Sequence, residues 1–118
     1  MIPYGKQDIN QTDINSVIDV LQSDFLTQGP QVPLFEQMVS NYCSADYGVA
    51  VNSATSALHI ACLSLGLGKG DLLWTSPNSF VASANCGLYC GAEVEFVDID
   101  QQTYNLSTKE LESNENNF

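Results

Sequence analysis

The sequence predicts an α/β fold, a mainly parallel sheet with flanking helices, and three observations predict it. Between Tyr47 and Asp98, short β-prone apolar runs alternate with stretches of helical spacing. Those helical stretches are long enough for the crossovers that parallel strands require and hairpins do not. Glycines stand where the helices should stop: Gly66, Gly68 and Gly70 after one, Gly91 after the next.

In chain order, Tyr4 and Gly5 belong to an extended arm. From Asp8 to Leu21 the residues Ile9, Ile14, Val17, Ile18 and Leu21 recur at helical intervals, so this stretch reads as a helix with one packed and one wet face. The run 23–30, with Phe25 at its centre and Gly29-Pro30 at its end, breaks that periodicity and reads as a loop. Val32, Leu34, Phe35, Met38, Val39 and Tyr42 define a second helix that ends near Cys43 to Ala45. After it the pattern predicts a strand over Tyr47–Val51, a helix over Ala54–Leu67, a strand over Asp71–Thr75, a helix over Phe80–Cys90 and a strand over Glu93–Asp98.

Ligands of open α/β sheets bind beyond the C-terminal ends of the strands. Three turns fall there: 52–55, 76–80 and 98–100. In the first, small and hydroxylated residues open a helix, so Ser53, Ala54 and Thr55 offer an anion backbone N–H groups, hydroxyls and the positive end of a dipole. The alternative is that Ser53 or Thr55 only caps the helix. In the second, Phe80 stands where it could stack on a planar ligand, or be an ordinary core aromatic. Asp98 and Asp100 flank Ile99 as a possible carboxylate pair, or as a solvated turn. His59, a turn into its helix, reads as a packed or interface histidine. The glycines at 66–70 follow a helix and precede a strand, the wrong order for a dinucleotide fingerprint.

Charge narrows the partners. The 118 residues carry 14 acidic side chains against 3 basic ones, a net charge of −11, with no arginine. Such a chain has no means of neutralising a nucleic-acid backbone or an anionic membrane surface, so neither is an expected partner. An anionic ligand must be held by amides and dipoles, or by cations from elsewhere. Cys43, Cys62, Cys86 and Cys90 lack the two short-spaced pairs of a zinc ribbon and read as buried free thiols. The N-terminus has no basic segment followed by an apolar run, and the expected compartment is the cytoplasm.

Four stretches together carry a resemblance: Leu26-Thr-Gln-Gly-Pro30, Val51-Asn-Ser-Ala-Thr-Ser-Ala-Leu-His59, Thr75-Ser-Pro-Asn-Ser-Phe-Val-Ala-Ser-Ala-Asn85 and Phe96-Val-Asp-Ile-Asp100. In this order they resemble the start of the DegT/DnrJ/EryC1 family of sugar aminotransferases, which are pyridoxal-phosphate-dependent enzymes of fold type I. Within it the run is similar to the branch serving pseudaminic acid biosynthesis, which aminates a UDP-linked 4-keto-6-deoxy amino sugar with glutamate as donor. The resemblance implies pyridoxal 5'-phosphate as cofactor, with Ser53, Ala54 and Thr55 at its phosphate and Phe80 against its ring. It implies that Tyr4, Asp24, Phe25, Leu26, Thr27 and Ala54 contact the UDP-sugar, and that the full-length parent is a homodimer. Asn78 departs from the apolar residue that relatives often carry beside the stacking position.

The same resemblance divides the chain into an N-terminal arm with helices, 1–45, and the first, incomplete part of the PLP-binding large domain, 46–118. The family needs a lysine that holds the cofactor covalently and a carboxylate that keeps the pyridine nitrogen protonated. Lys6, Lys69 and Lys109 lack the family's setting for that lysine, so no catalytic residue is assigned here. The expectation is an N-terminal fragment or truncated reading frame, inactive alone, ending in the polar run 112–117. Two alternatives are a PLP-dependent sugar dehydratase of the same superfamily and a non-catalytic truncated module.

Overall fold

The computed structural model describes residues 5–115. Seven elements follow one another: α1 (Gln11–Leu21), α2 (Gln31–Cys43), α3 (Ala54–Ser64), β1 (Leu72–Thr75), α4 (Ala82–Cys90), β2 (Glu93–Phe96) and α5 (Thr108–Glu115). They divide into two compact units, one ending at Ala50 and the other beginning at Val51.

In the first unit, α1 starts three residues later than its apolar spacing predicts because a cap fixes the start. Asn10 accepts from the N–H groups of Thr12 (2.8 Å) and Asp13 (3.2 Å), while the Asp13 carboxylate accepts from the N–H of Asn10 (2.9 Å). That reciprocal arrangement satisfies donors the helix itself leaves free. The expectation of a packed face does not hold, since α1 buries none of its residues. Pro30 stands at the N-cap of α2, whose end is closed by Ser44 in the left-handed region at φ 54°. There the N–H of Ala45 reaches back to the carbonyl of Ser40 at 2.9 Å.

The strand expected over Tyr47–Val51 is absent from the structure. The segment is irregular, and the N–H of Ala50 donates to Oε1 of Glu36 on α2 at 2.8 Å rather than to a neighbouring strand. Gly48 passes so close to α2 that a Cβ on it would lie 2.7 Å from the Glu36 carbonyl oxygen. Alternating apolar residues make a strand possible, but a partner's carbonyls make it a strand, and here a carboxylate has taken that role.

The second unit is built on a β1–α4–β2 crossover. Its two strands are parallel, with Leu72 opposite Glu93 and Thr75 opposite Phe96. Further backbone bonds, Glu93 to Asp71 at 2.9 Å and Val97 to Thr75 at 3.0 Å, extend the pairing at both ends. The core is small: Ala82, Ala84 and Cys86 of α4 with Ala92 and Val97, of which Val97 is fully buried. Gly87 explains how α4 lies so near the strands. A Cβ there would meet the Leu73 side chain at 2.8 and 3.1 Å and Val94 Cγ2 at 3.1 Å.

The remaining boundaries follow local chemistry. α3 ends at Ser64 rather than Leu67 because Gly66, at φ 79°, lets the N–H of Leu67 turn back to the Cys62 carbonyl. α4 begins at Ala82, two residues after the expected start. β2 ends at Phe96, after which Ile99 pairs in an antiparallel bridge with Leu106. α5 carries a start signal that the sequence reading passed over. Ser107 and Glu110 have the capping-box spacing, and Ser107 Oγ accepts from the Glu110 N–H at 3.3 Å. None of the described helices is long and apolar enough to cross a membrane.

Replacing Gly87 with alanine is expected to cost about 1–3 kcal/mol by overpacking α4 against Leu73 and Val94. The measurement is urea unfolding followed by the fluorescence of Trp74, the only tryptophan in the sequence. Gly66→Ala, where no atom lies within 4 Å but φ is positive, separates crowding from backbone strain.

Candidate functional site

The turn before α3 is built from side chains that bond to one another. Ser53, extended at φ −162°, is the N-cap, and its Oγ accepts from the N–H of Ser56 at 3.2 Å. The Ser56 hydroxyl donates to Asn52 Oδ1 at 2.7 Å and lies 3.0 Å from Ser53 Oγ. The capping alternative is therefore realised at Ser53. It does not consume the site, however. Among the described residues nothing accepts from the N–H groups of Ala54 and Thr55, and the Thr55 hydroxyl has no bonded partner.

An 11-residue helix thus presents two backbone donors, one hydroxyl and its positive dipole end, with no carboxylate in its first turn. That donor set fits a phosphate ester, which needs several hydrogen bonds to its oxygens and not necessarily a cation. The residues that could hold such a group are Ala54 and Thr55, with Ser53 as the cap that orients them.

Phe80 lies in the turn between β1 and α4, where its carbonyl accepts from the N–H of Ser83 at 3.0 Å. The reading of Phe80 as a core aromatic is overturned, since the residue is 74 % exposed. Beside it Ser76 Oγ accepts from the Asn78 N–H at 3.1 Å, and the hydroxyls of Ser79 and Ser83 are 3.2 Å apart. The aromatic face is free to take a planar ligand. Both turns belong to the second unit, where α3 packs against α4, and among the described residues no hydrogen bond joins them.

Of the residues expected to meet a sugar nucleotide, Ala54 opens α3 and the others are not part of that turn. Asp24, Phe25, Leu26 and Thr27 form an exposed loop in the first unit, and Tyr4 is outside the described residues. The Ser23 hydroxyl ties the loop back to α1, donating to the Val20 carbonyl at 2.8 Å and accepting from the Phe25 N–H at 3.2 Å. Gly29 closes it, since a Cβ there would be 2.8 Å from that of Phe25. The loop has a defined shape before any ligand arrives.

Asp98 and Asp100 are turn-formers rather than a paired acid and base. Asp98 accepts from the N–H of Ile99 at 2.7 Å, and Asp100 from those of Thr103 (2.8 Å) and Gln102 (3.1 Å). The Thr103 and Gln102 bonds hold the Asp100 carboxyl below the usual aspartate range. His59 contacts Tyr89 edge-on, with ring centroids 5.4 Å apart, and is a packing residue between α3 and α4. Of the four free cysteines, Cys86 is buried, Cys62 and Cys90 are half-buried and Cys43 is exposed, so the expectation of buried thiols holds fully only at Cys86.

The sequence profile of the DegT/DnrJ/EryC1/StrS aminotransferase family matches residues 7–116. The UDP-4-amino-4,6-dideoxy-N-acetyl-beta-L-altrosamine transaminase of Campylobacter jejuni is 41 % identical over 113 residues, 96 % of this chain and 30 % of its own length. The spore coat polysaccharide biosynthesis protein SpsC of Bacillus subtilis is 38 % identical over 95 % of this chain and 29 % of its own. Among solved structures, a sugar aminotransferase of Streptococcus pneumoniae superposes with a TM-score of 0.90 at 32 % identity. It covers 95 % of this chain and 28–29 % of its own in apo, pyridoxal phosphate and pyridoxamine phosphate forms. The chain therefore spans just under a third of the relatives it matches.

Because hydrogen bonds lower the Asp100 pKa in the folded chain, its stabilising effect is present above the ordinary aspartate value and is lost as pH falls through the lowered one. Asp100→Ala should flatten the acid limb of a plot of unfolding free energy against pH and leave the neutral region's slope unchanged. A carboxyl resonance for Asp100 that titrates at the ordinary value would contradict the assignment.

Proposed function

The chain belongs to the DegT/DnrJ/EryC1/StrS aminotransferase family, and we propose that it supplies the cofactor-phosphate turn and stacking aromatic of a sugar-nucleotide aminotransferase. The family is pyridoxal-phosphate-dependent, and a solved relative carries that cofactor. When bound, the cofactor supplies an electron sink for the bonds around the transferred nitrogen. The protein's own contribution is placement. The Ala54 and Thr55 N–H groups and the Thr55 hydroxyl take the phosphate, while Phe80 lies against the ring and fixes its plane. The observation that carries this reading is the cap at Ser53, which aligns the start of α3 and leaves its first two donors unspent.

The whole protein's substrate in this reading is a UDP-linked 4-keto-6-deoxy amino sugar, and its amino donor is glutamate, as in pseudaminic acid biosynthesis. The Campylobacter jejuni relative, named for transamination of a UDP-linked 4-amino-4,6-dideoxy sugar, supports the sugar-nucleotide part of that choice. Asp24, Phe25, Leu26 and Thr27, together with Tyr4 and Ala54, are assigned to the sugar nucleotide. Residues 1–45 form an arm with helices, and 46–118 form the first part of the large domain. The protein acts in the cytoplasm as a homodimer. The 118 residues alone bind cofactor without turnover, since Lys6, Lys69 and Lys109 all lie outside the anchoring lysine's setting.

The test is equilibrium binding of pyridoxal phosphate to the chain, followed by quenching of Trp74. Thr55→Val, which removes the hydroxyl and keeps the N–H, and Phe80→Ala are each expected to weaken binding by about 2- to 10-fold. Inorganic phosphate should compete with the cofactor in the parent chain and in Phe80→Ala. Ser53→Ala is less informative, because it removes the cap as well. Unchanged affinity in both Thr55→Val and Phe80→Ala would overturn the site.

A further inference from the structure

The residue just ahead of the phosphate turn makes contacts that the cofactor assignment does not use. Ser56 Oγ donates to Asn52 Oδ1 at 2.7 Å, Ser53 Oγ reaches the same oxygen at 3.4 Å, and the two hydroxyl oxygens lie 3.0 Å apart. A carbonyl oxygen only accepts, whereas a hydroxyl has one proton to give. The short bond to Asn52 takes the Ser56 proton, and the Ser53 proton stays inside the same cluster. The Ser53 oxygen is left facing the N–H of Ser56, from which it accepts at 3.2 Å. An amide at 52 thus sets the direction of both hydroxyls and keeps Ser53 as the cap.

The distribution of charge is an independent observation. Of the 14 acidic side chains, Asp71 alone stands between Asp46 and Glu93. It precedes β1, whereas the turn 76–80 follows that strand, and it accepts from the Gly68 N–H at 2.8 Å beyond the C-terminal end of α3. That helix has 11 residues and so runs about 16 Å from the turn at its start. Both turns given to the cofactor are free of carboxylates, in a chain of net charge −11 that has no arginine. A carboxylate at 52 would accept the same hydroxyls and would favour the helix dipole. What separates asparagine from aspartate at this position is the effect on an anion bound beside it.

We propose that Asn52 is a positioning residue for the cofactor phosphate, an inference that rests on the assignment of that phosphate to Ala54 and Thr55. Asn52 acts through Ser53 and Ser56 rather than on the ligand. Its oxygen holds the cap that aligns α3, and its neutrality leaves the positive end of the helix to the phosphate. At the separation of neighbouring residues in water, repulsion between a carboxylate and a phosphate dianion amounts to about 10-fold in affinity.

The experiment measures pyridoxal phosphate binding by Trp74 quenching, alongside urea unfolding, in the parent chain, Asn52→Asp and Asn52→Ala. Asn52→Asp is expected to unfold at or above the parent's urea midpoint and to bind about 10-fold more weakly, with the deficit shrinking as salt is raised. Asn52→Ala is expected to lower the midpoint, because the hydroxyls lose their acceptor, and to weaken binding about 2- to 5-fold by a factor that salt leaves unchanged. A purely structural role would not make the better-folded variant the poorer binder. Asn52→Asp binding as tightly as a parent chain that responds to Thr55→Val or Phe80→Ala overturns this inference and leaves the site standing. An Asn52→Asp chain that unfolds well before the parent also overturns it, since the carboxylate would then not replace the amide. A parent chain that binds no pyridoxal phosphate, or that is indifferent to both Thr55→Val and Phe80→Ala, overturns the site itself.

Discussion

The close seating of α4 on β1 and β2 is the contact on which the second unit depends. The unit has few large buried side chains, and its core consists mainly of alanines, a cysteine and one fully buried valine. Small residues contribute little apolar area each, so they stabilise only when backbones approach closely and exclude water efficiently. Gly87 permits that approach, and the parallel pairing from Leu72 to Thr75 supplies the flat surface that receives it. Once α4 is seated, the turn before it presents Phe80, and α3, packed on α4, presents the Ser53 cap.

What was readable in advance was whatever is decided within a few residues. Gly66 and Gly91 end helices because a positive φ is needed there, and both do so. The alternation of strand and helix after Asp71 reads correctly because a crossover has a minimum length. What escaped depends on distant partners. The run Tyr47–Val51 has the pattern of a strand, yet its backbone bond goes to a side chain 14 residues away in sequence. The apolar stripe of α1 marks a face that packing would use, but periodicity cannot say whether anything packs there, and the described residues leave it exposed.

The candidate site shows the same division. That residues 53–55 open a helix could be read from composition. Which of them spends its oxygen on the cap, and which leaves its donors unbonded, could not, because the choice turns on the hydroxyl network of Asn52, Ser53 and Ser56. Phe80 looked as much like a core residue as a ligand contact until its exposure was known. Asp98 and Asp100 had the spacing of a catalytic pair, and the backbone N–H groups around them explain their presence without chemistry.

The bond from Ala50 to Glu36 has a bearing on how such a chain avoids sticking to its copies. An extended apolar segment with open N–H groups is a template for intermolecular sheet growth. Here a carboxylate occupies one of those N–H groups, and Gly48 is pressed against a helix carbonyl. A second chain that tried to add a strand along this segment would have to displace the Glu36 carboxylate from its bond to Ala50. A charged side chain reaching over from a neighbouring helix thereby acts as a gatekeeper for a stretch whose own sequence carries no charge between Tyr47 and Val51.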